Sequence, residues 1–313
     1  MRMLVARGER VRSFSRSRYP ELDSLGVEQV QGDIADTKAL SRAFRGVDLV
    51  FHVAAKPGVW GSLETFHRVN VEGTRNVLRA CRDNGVNRLI YTSSPSVIFN
   101  GRDMAGVDES APYPEVYLAH YPRTKAAAEQ MVRNAAGGDL RTIALRPHLI
   151  WGPGDNHLVP RIIQRAHRLR QVGDGRNKVD TIYVDNAAHA HVLAAERLSA
   201  RPELSGRVYF ISQDEPIVLW KMVNAILAAA DLPPVQRRIS VPTARRLGAL
   251  LEWLFRTFHL PGEPPMTRFV AEELATSHWF DIRAAQEDLG YRPLVSTEEG
   301  LRRLRHWLQD KNA

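Results

Sequence analysis

Residues Arg88-Leu-Ile-Tyr-Thr-Ser93 form a short apolar run that ends in hydroxyl side chains, and this stretch decides the fold. Runs of this length that are apolar on both faces are typical of strands buried inside a parallel sheet. A similar run, Leu49–Ala54, precedes it, and Thr142–Arg146 follows it. Between the first two lies a helical stretch, Leu63–Asp83, that stops at Asn84-Gly85. This alternation predicts an α/β fold with a doubly wound parallel sheet.

The same alternation continues toward both ends of the chain. Before the central run we expect strands at Val11–Ser15 and Val27–Gly32 and a helix over Asp36–Phe44, and after it a helix containing Lys125–Asn134. Turn signals become frequent from Pro147, and helices are predicted at Asn186–Leu198, Leu219–Ala230, Ala244–Phe258 and Thr297–Leu308. We therefore expect a dinucleotide-binding domain over residues 1–150. Residues 151–313 should form a smaller substrate-binding lobe, with some segments returning to the sheet.

The composition excludes several classes of protein. The 313 residues carry a formal charge of +8, but the basic residues are scattered, so we expect no nucleic-acid partner. No apolar run approaches the roughly 20 residues of a membrane span. A single cysteine, Cys81, excludes a disulfide scaffold and favours a reducing, cytoplasmic location. Asn156-His157 and Asp185 lack the spacing of recognised metal sites, so we expect no metal.

A tyrosine and a lysine in Tyr121-Pro-Arg-Thr-Lys125 point to proton transfer. Their i, i+4 spacing puts both on one helix face, where an ammonium would lower the pKa of the phenol. Ser93 and Ser94 end the central strand, where polar side chains of an α/β sheet face the ligand crevice. A packed surface pair and a turn cap are the alternatives for these residues taken singly. Ser94, Tyr121 and Lys125 together favour catalysis at a carbonyl or alcohol oxygen, with Ser93 as the alternative serine.

The order and spacing of several motifs resemble the extended short-chain dehydrogenase/reductases, a Rossmann-type family. The motifs are Gly32-Asp33-Ile34, His52-Val-Ala-Ala55, Asn70-Val-Glu-Gly-Thr-Arg-Asn76, Tyr91-Thr-Ser-Ser94, Tyr121-Pro-Arg-Thr-Lys125, Leu145-Arg-Pro147 and Trp151-Gly-Pro-Gly154. Within that family the chain is similar to the 3β-hydroxysteroid dehydrogenase-like branch, and most of all to bacterial reductases of long-chain olefin biosynthesis. That likeness rests on Ala55-Lys-Pro-Gly-Val-Trp-Gly61, Trp151-Gly-Pro-Gly-Asp-Asn-His157, Val172-Gly-Asp-Gly175, Asp185-Asn-Ala-Ala188 and Pro261-Gly-Glu263.

The resemblance implies a nicotinamide cofactor and a role for each matching residue. Ser94 would hydrogen-bond the substrate oxygen, Tyr121 would be the acid–base group, and Lys125 would tune Tyr121 and bind the nicotinamide ribose. Asn70 would support the site structurally. The remaining cofactor-binding positions would be Asp33 and Ile34 at the adenine, Ala54, Ala55 and Lys56 along the cofactor, and Pro147, Leu149 and Ile150 near the carboxamide.

The run Ser13–Arg18 bears on the choice of cofactor. NAD enzymes place a carboxylate at the end of this strand, whereas an arginine accommodates the 2′-phosphate of NADP. The run contains no carboxylate, so Arg16 is the expected phosphate partner, with Ser15 and Arg18 in support. This favours NADP, with NAD as the alternative, and a solvated Arg16 is the competing interpretation.

The start of the chain departs from the family pattern. No G-x-G-x-x-G motif occurs, and Met3–Gly8 is typical of the last turns of a helix that leads into the strand Val11–Ser15. We therefore expect the first strand and the Gly-rich phosphate loop to be missing, through a misassigned start or a true truncation. A chain without them should bind cofactor poorly.

The function implied by the resemblance is NADP-dependent reduction of the 3-keto group of a 2-alkyl-3-oxoalkanoic acid to the 3-hydroxy acid. The alternatives are a 3β-hydroxysteroid or sterol-carboxylate dehydrogenase, a nucleotide-sugar epimerase or dehydratase, and an inactive fragment. Partners would be the acyl substrate, other enzymes of the olefin pathway and further copies of the chain. The substrate carboxylate would be bound by one of four cations near the cleft, namely Lys56, Arg123, Arg146 or His148.

Aromatic and leucine side chains are frequent in the second half. They include Trp60, Trp151, Trp253, Phe255, Phe258 and Trp279, and Leu247, Leu250, Leu251 and Leu254 at helical spacing. Core packing of the small lobe is the favoured interpretation. A lid over a long acyl chain is the alternative, and Arg246 and Arg256 would permit a minor contact with a membrane surface.

Overall fold

A computed structural model describes residues 1–312. Its strands are β1 (Arg12–Ser15), β2 (Glu28–Gln31), β3 (Leu49–His52), β4 (Arg88–Thr92), β5 (Met104–Val107), β6 (Arg141–Pro147), β7 (Ile150–Trp151), β8 (Gln171–Val172), β9 (Lys178–Val179), β10 (Ile182–Tyr183), β11 (Arg207–Ile211), β12 (Ile217–Val218), β13 (Arg238–Ile239) and β14 (His278–Phe280).

The helices alternate with these strands in the first half and dominate the second. They are α1 (Arg2–Val5), α2 (Pro20–Asp23), α3 (Thr37–Phe44), α4 (Leu63–Phe66), α5 (Gly73–Asp83), α6 (His120–Asn134), α7 (Leu158–Arg165), α8 (Val184–Ala200), α9 (Leu219–Ala229), α10 (Val241–Thr257), α11 (Arg268–Ala275), and α12 (Thr297–Asn312). Short 3₁₀ turns follow β4 and α7 and precede β11, and π turns cover His67–Glu72 and Ala285–Leu289.

The main sheet has four parallel strands in the order β11-β6-β4-β3. Successive side chains of a strand point to opposite faces, and β4 uses both faces for burial. Leu89 and Tyr91 pack with α5 and α6, whereas Ile90 packs with α8 on the other face. The predicted doubly wound parallel arrangement follows from this two-sided burial.

Strands β1 and β2 form a separate parallel pair. Within residues 1–312, β1 pairs with β2 and β3 pairs with β4, so each has one edge without a ladder partner. Val53, immediately after β3, is correspondingly 59% exposed. The segment Met3–Gly8, expected to be helical, is α1 and a turn that closes at Gly8 with a positive φ of 79°.

The helix expected over Leu63–Asp83 is continuous in direction but not uniform. It begins with α4, widens into the π turn His67–Glu72 and continues as α5. Gly73 lies at the start of α5, where a Cβ atom would come within 2.4 Å of Ile34 Cδ1. A glycine there allows the loop after β2 to pack against the helix.

The second half contributes one strand to the main sheet, because β11 pairs with β6 in parallel register. The division at residue 150 itself stays a prediction. Core packing was the favoured interpretation for the leucine-rich helix, and for α10 it is wrong. Leu250 and Phe258 are 52% and 61% exposed, and the helix buries Ala244, Gly248 and Glu252 instead.

A buried ion pair joins α6 to β6. Glu129 on α6 is 0% exposed and Arg146 on β6 is 2% exposed. Arg146 donates to Glu129 through Nε at 2.9 Å and Nη2 at 2.5 Å, and the Tyr113 hydroxyl donates to the same carboxylate at 2.5 Å. Burial would raise the pKa of Glu129, but the bonds and charge of Arg146 outweigh it and hold that pKa below its usual value.

Replacing Glu129 with alanine should strongly destabilise the fold, because Arg146 would remain as a buried charge without its partner. Losing one member of a buried pair typically costs about 3–5 kcal/mol. Urea unfolding of Glu129→Ala should show this loss, whereas Glu115→Ala, at an exposed position, should unfold like the wild type. Equal unfolding midpoints for the two variants would contradict the structural role of the pair.

Candidate active site

The carboxyl end of β4 provides the two serines predicted from the sequence. Ser93 is 4% exposed, and its backbone N–H donates to Leu145 O on β6 at 2.6 Å. Ser94 begins the 3₁₀ turn Pro95–Ile98, and its hydroxyl accepts from Ser96 N at 3.2 Å. Of the two serines, Ser94 is the one whose hydroxyl lowers the pKa of the Tyr121 phenol, and the choice between them as the catalytic serine stays a prediction.

Tyr121 lies in the first turn of α6 and is partly buried. Burial raises the pKa of its phenol to about 12, the Ser94 hydroxyl opposes that shift, and the charge of Glu273 adds to it. The phenol therefore keeps its proton at neutral pH. The role expected for Lys125 in lowering this pKa stays a prediction.

Lys125 follows one turn later and is 2% exposed. Its Nζ donates to Thr92 O at 2.6 Å and lies 4.2 Å from the centre of the Tyr91 ring. Burial lowers the pKa of Lys125 to about 7, although the charge of Glu129 opposes the shift. One of the three ammonium donors is used by the protein, which leaves donors for a ligand hydroxyl at the end of β4.

Asn70, in the π turn, connects the loop after β3 to the catalytic helix. Its Oδ1 accepts from Lys56 N at 2.7 Å, and its Nδ2 donates to Lys56 O at 3.2 Å and Thr124 Oγ1 at 3.0 Å. Thr124 in turn donates to the backbone oxygens of His120 and Tyr121. The supporting role implied for Asn70 thus has a physical basis, since π turns often re-aim side chains at functional sites.

The end of β1 carries the residues expected to select the cofactor. Arg16 is exposed, and no ion pair to it occurs within residues 1–312. Arg18 is already bound to Asp23, with Nη2 3.0 Å from Oδ1. The Ser15 hydroxyl donates to Ser17 O at 2.7 Å. Of the three, Arg16 has the side chain that remains available to an anion.

The adenine-side residues lie in the loop after β2. Asp33 accepts from Ala35 N at 2.9 Å, and Arg68 lies 3.9 Å from its carboxylate. Ile34 packs against Gly73, and its carbonyl accepts from Asn76 Nδ2 at 3.0 Å. These contacts fix the loop next to the start of α5.

The remaining predicted cofactor positions follow β3 and β6. Ala54 is exposed and Ala55 and Lys56 are partly exposed, so this loop is open to a ligand. Pro147 ends β6, and Leu149 adopts a left-handed conformation with φ of 45°. Ile150 is 37% exposed. The parallel pairing of β3, β4 and β6 brings these loops to one edge of the sheet.

The four cationic residues expected near the cleft differ in whether their side chains are free to bind a substrate carboxylate. Arg146 is committed to Glu129, so it is excluded as the binder of a substrate carboxylate. His148 is held neutral, because burial and the neighbouring His278 lower its pKa well below the usual value. Lys56 Nζ lies 5.3 Å from the centre of the Phe66 ring, and Arg123 is exposed on α6. These last two remain candidates for an anionic substrate group.

Two residues of this site have no signal in the local sequence. His278 Nδ1 on β14 lies 2.6 Å from His148 Nε2, and the charge of Glu273, at the end of α11, raises the pKa of Tyr121. Both come from more than 120 positions further along the chain than their partners. A buried histidine and a helical glutamate are ordinary in sequence, so only the tertiary fold identifies them.

The aromatic residues divide between core and surface. Trp151 is buried at 0% exposure against Tyr183, with ring centres 5.3 Å apart, so it is a core residue. Trp60 packs edge-on against Phe255 at 6.2 Å, and Arg256 lies 5.2 Å from the centre of its ring. Burial and the charges of Arg123 and Arg256 lower the pKa of His120.

Among residues 1–312 no three His, Cys, Asp or Glu side chains gather into a metal-binding group. Asp185, considered in the sequence, lies 3.4 Å from Arg303. Across the same residues, none of the helices has the length and apolar character needed to span a membrane.

Comparison with known proteins identifies the family. Residues 1–242 match the 3-beta hydroxysteroid dehydrogenase/isomerase family, and the chain belongs to that family. The resemblance stated from the motifs is confirmed. The protein is an oxidoreductase of the short-chain dehydrogenase/reductase type.

Three individual relatives are similar to this chain over most of its length. The chain is 52% identical to the 2-alkyl-3-oxoalkanoate reductase of Stenotrophomonas maltophilia, over 97% of this chain and 93% of that protein. It is 49% identical to the protein of the same name in Shewanella oneidensis, over 96% of this chain and 81% of the relative. The sterol-4-alpha-carboxylate 3-dehydrogenase of Schizosaccharomyces pombe is 37% identical, over 88% and 83% of the two chains.

Solved structures confirm the predicted fold. The crystal structure of gox2253 has a TM-score of 0.77 and 27% identity, covering 99% of this chain and 93% of that one. MoeE5 in complex with UDP-glucuronic acid and NAD has a TM-score of 0.75 and 25% identity, with 99% and 94% coverage.

Replacing Tyr121 with phenylalanine should abolish most turnover while leaving the fold intact, because the change removes the donated proton and little else. Acid–base groups contribute about 10²–10⁴-fold to rate, so kcat should fall by that factor. Steady-state kinetics and thermal melting measure the two effects. A Tyr121→Phe variant with wild-type kcat would contradict the proton-donor role.

Proposed function

We propose that the protein uses NADPH to reduce the 3-keto group of a 2-alkyl-3-oxoalkanoic acid to the 3-hydroxy acid. The observation that carries this proposal is a phenol held protonated beside a serine, in a chain 52% identical to a 2-alkyl-3-oxoalkanoate reductase. A protonated phenol is the form required to donate a proton to a ketone oxygen during reduction.

The chemistry follows from the positions of the three central residues. The Ser94 hydroxyl would hold the ketone oxygen, and Tyr121 would donate its proton to that oxygen as charge develops on it. The reduced nicotinamide supplies hydride when bound, and C3 accepts it. Holding donor and acceptor groups in one geometry provides much of the rate enhancement.

The donor set suits a nicotinamide cofactor. Lys125 has ammonium donors free for ribose hydroxyls at the carboxyl end of β4. The loops after β3 and β6 lie along the same edge of the main sheet, where dinucleotides bind in α/β folds. Asp33, Ile34, Ala54, Ala55, Pro147, Leu149 and Ile150 would line that edge.

The preference for NADPH rests on Arg16. This guanidinium is exposed at the end of β1 and is free of ion pairs within the described chain, whereas the neighbouring Arg18 is bound to Asp23. A bidentate guanidinium suits the 2′-phosphate, and a carboxylate that would bind a 2′-hydroxyl is missing from Ser13–Arg18.

The substrate test compares two classes of acid. The chain should oxidise a 2-alkyl-3-hydroxyalkanoic acid with NADP⁺, and NADPH formation is followed by absorbance. A 3β-hydroxysterol with a 4-carboxylate, the substrate type named for the fission-yeast relative, is the second arm. Turnover of the sterol acid in preference to the alkyl acid would replace the proposed substrate, and no turnover of either would refute the proposal.

Replacing Arg16 with aspartate should shift the preference from NADPH toward NADH. The change reverses the charge beside the 2′-phosphate and supplies an acceptor for a 2′-hydroxyl, so the NADPH/NADH ratio of kcat/KM should fall by about tenfold or more. Arg10→Asp is the matched control, because Arg10 is exposed before β1 and should leave the ratio unchanged. An unchanged ratio in Arg16→Asp would show that Arg16 only faces solvent.

A further inference from the structure

The helix α10 turns an apolar face to solvent. Trp253 is 57% exposed, and Leu247, Leu250 and Phe258 are exposed as well. The spacing of the two leucines and Phe258 puts them in one sector of roughly 80° around the helix axis. The side of the helix that packs against the protein carries smaller residues such as Gly248. The helix is therefore amphipathic, with its largest apolar side chains on the outside.

The turn after the helix adds one more leucine to this face. Phe258 caps α10, and His259 then adopts a left-handed conformation with φ of 49°. Leu260 N donates to Phe255 O at 3.1 Å, so the exposed Leu260 is folded back onto the last turn of the helix. The rings of Trp253 and Phe258 pack edge-on with centres 6.3 Å apart. These exposed side chains form what we call the α10 face, namely Leu247, Leu250, Trp253, Phe258 and Leu260.

The exposed charges around the α10 face are of one sign. Residues 237–262 include five arginines and a single carboxylate, Glu252. That carboxylate is buried and accepts from Arg268 Nε at 3.0 Å and Nη2 at 2.9 Å, so it presents no negative charge at the surface. Arg238 on β13 and Arg246 on α10 are exposed, and no ion pair to either of them occurs within residues 1–312. The surface thus combines large apolar side chains with cations that are free to bind an anion.

This distribution of charge disfavours a second copy of the chain as the occupant of the α10 face. A twofold interface brings the same patch of both copies together, so Arg246 would face the arginines of the other copy. Like charges placed across an interface cost free energy, and residues 237–262 offer no exposed carboxylate to compensate them. A bilayer with anionic headgroups is complementary to both the apolar and the cationic parts of this surface.

We propose that the α10 face is a docking surface for a lipid bilayer that contains anionic lipids. Trp253, Phe258 and the leucines of the face enter the boundary between headgroups and acyl chains. Arg238 and Arg246 contact lipid phosphates, which guanidinium groups bind well. Binding of this kind is peripheral and reversible, with the helix lying in the plane of the membrane surface.

The other side of α10 connects the docking surface to the candidate active site. Trp60, in the loop after β3, packs edge-on against Phe255 with ring centres 6.2 Å apart. The same loop carries Lys56, whose backbone N–H donates to Asn70 Oδ1 at 2.7 Å. The outer side of one helix therefore faces the membrane, while its inner side contacts the loop predicted to lie along the cofactor.

Sedimentation with lipid vesicles tests the docking surface. The full chain is mixed with vesicles of phosphatidylcholine alone, or of equal parts phosphatidylcholine and phosphatidylglycerol. The wild type should bind the mixed vesicles more tightly than the neutral ones, by about tenfold or more, because the arginines attract anionic headgroups. Added salt should reduce this difference, since it screens exposed charges.

The apolar part is tested by a double variant, Leu250→Ser with Phe258→Ser. Its affinity for the mixed vesicles should fall by about tenfold or more, because two large apolar side chains no longer leave water on binding. Leu294→Ser is the matched control. Leu294 is 61% exposed, but its backbone N–H donates to Asn186 on α8, away from the α10 face, so this variant should bind as the wild type does.

The charged part and the depth of insertion have their own variants. Arg238→Gln with Arg246→Gln should remove most of the preference for anionic vesicles, whereas Arg10→Gln, at an exposed position before β1, should keep it. Tryptophan fluorescence should shift to shorter wavelength when vesicles are added, as Trp253 leaves water. Trp253→Phe should remove most of this shift and still bind the vesicles.

The outcomes that overturn the proposal are distinct from a failed reductase assay, because vesicle binding needs neither substrate nor cofactor. A wild type that binds no vesicles overturns it, as does equal binding by the wild type and Leu250→Ser/Phe258→Ser. A dimeric wild type with a monomeric double variant, neither of which binds vesicles, identifies a second copy as the occupant instead. Equal melting temperatures show that the double variant is folded, and if it melts lower, the arginine variants and the Trp253 shift decide the question.

Discussion

The buried pair between Glu129 and Arg146 is the contact on which the active site depends. Glu129 lies two helical turns beyond Tyr121 on α6, and Arg146 comes directly before Pro147 on β6. Their two hydrogen bonds hold the catalytic helix against the strand whose end carries His148. Desolvating a buried ion pair costs free energy, and the attraction between the two charges offsets that cost only when their hydrogen-bond geometry is good. The pair therefore fixes the rotation of α6 relative to the sheet. That rotation presents the Tyr121 phenol to Ser94.

Segments from the second half of the chain also contribute contacts at the end of β6. The contacts between His148, His278 and the Glu273 backbone bind α11 and β14 to the end of β6. Because these contacts are hydrogen bonds between neutral groups, they hold the lobe without placing a fixed charge beside the substrate. The protonation state of the site is then set mainly by burial, which keeps Tyr121 protonated and brings both Lys125 and Glu273 toward neutrality.

The sequence predicts the sheet well because its signals are local. Leu49–His52 and Arg88–Thr92 are short runs buried on two faces, and the ends of α3 and α5 carry a side-chain cap at Asp36 and a stop at Asn84-Gly85. It predicts α10 poorly. Periodicity shows which residues share a helix face but not which face meets the core, and the core here takes Gly248, whose Cβ would lie 2.6 Å from the Thr267 backbone. Glu273 could be identified only from the tertiary structure, since nothing in its neighbourhood along the chain distinguishes it from Glu272.

The central claim is that burial keeps the Tyr121 phenol protonated so that it can serve as the proton donor. The most direct measurement is the ¹³C chemical shift of tyrosine labelled at Cζ, followed as pH rises, with Tyr121→Phe used to assign the resonance. The account predicts that the Tyr121 signal stays in the phenol position beyond pH of about 10, where a free tyrosine ionises. A shift to the phenolate position with a midpoint near neutral pH would contradict it.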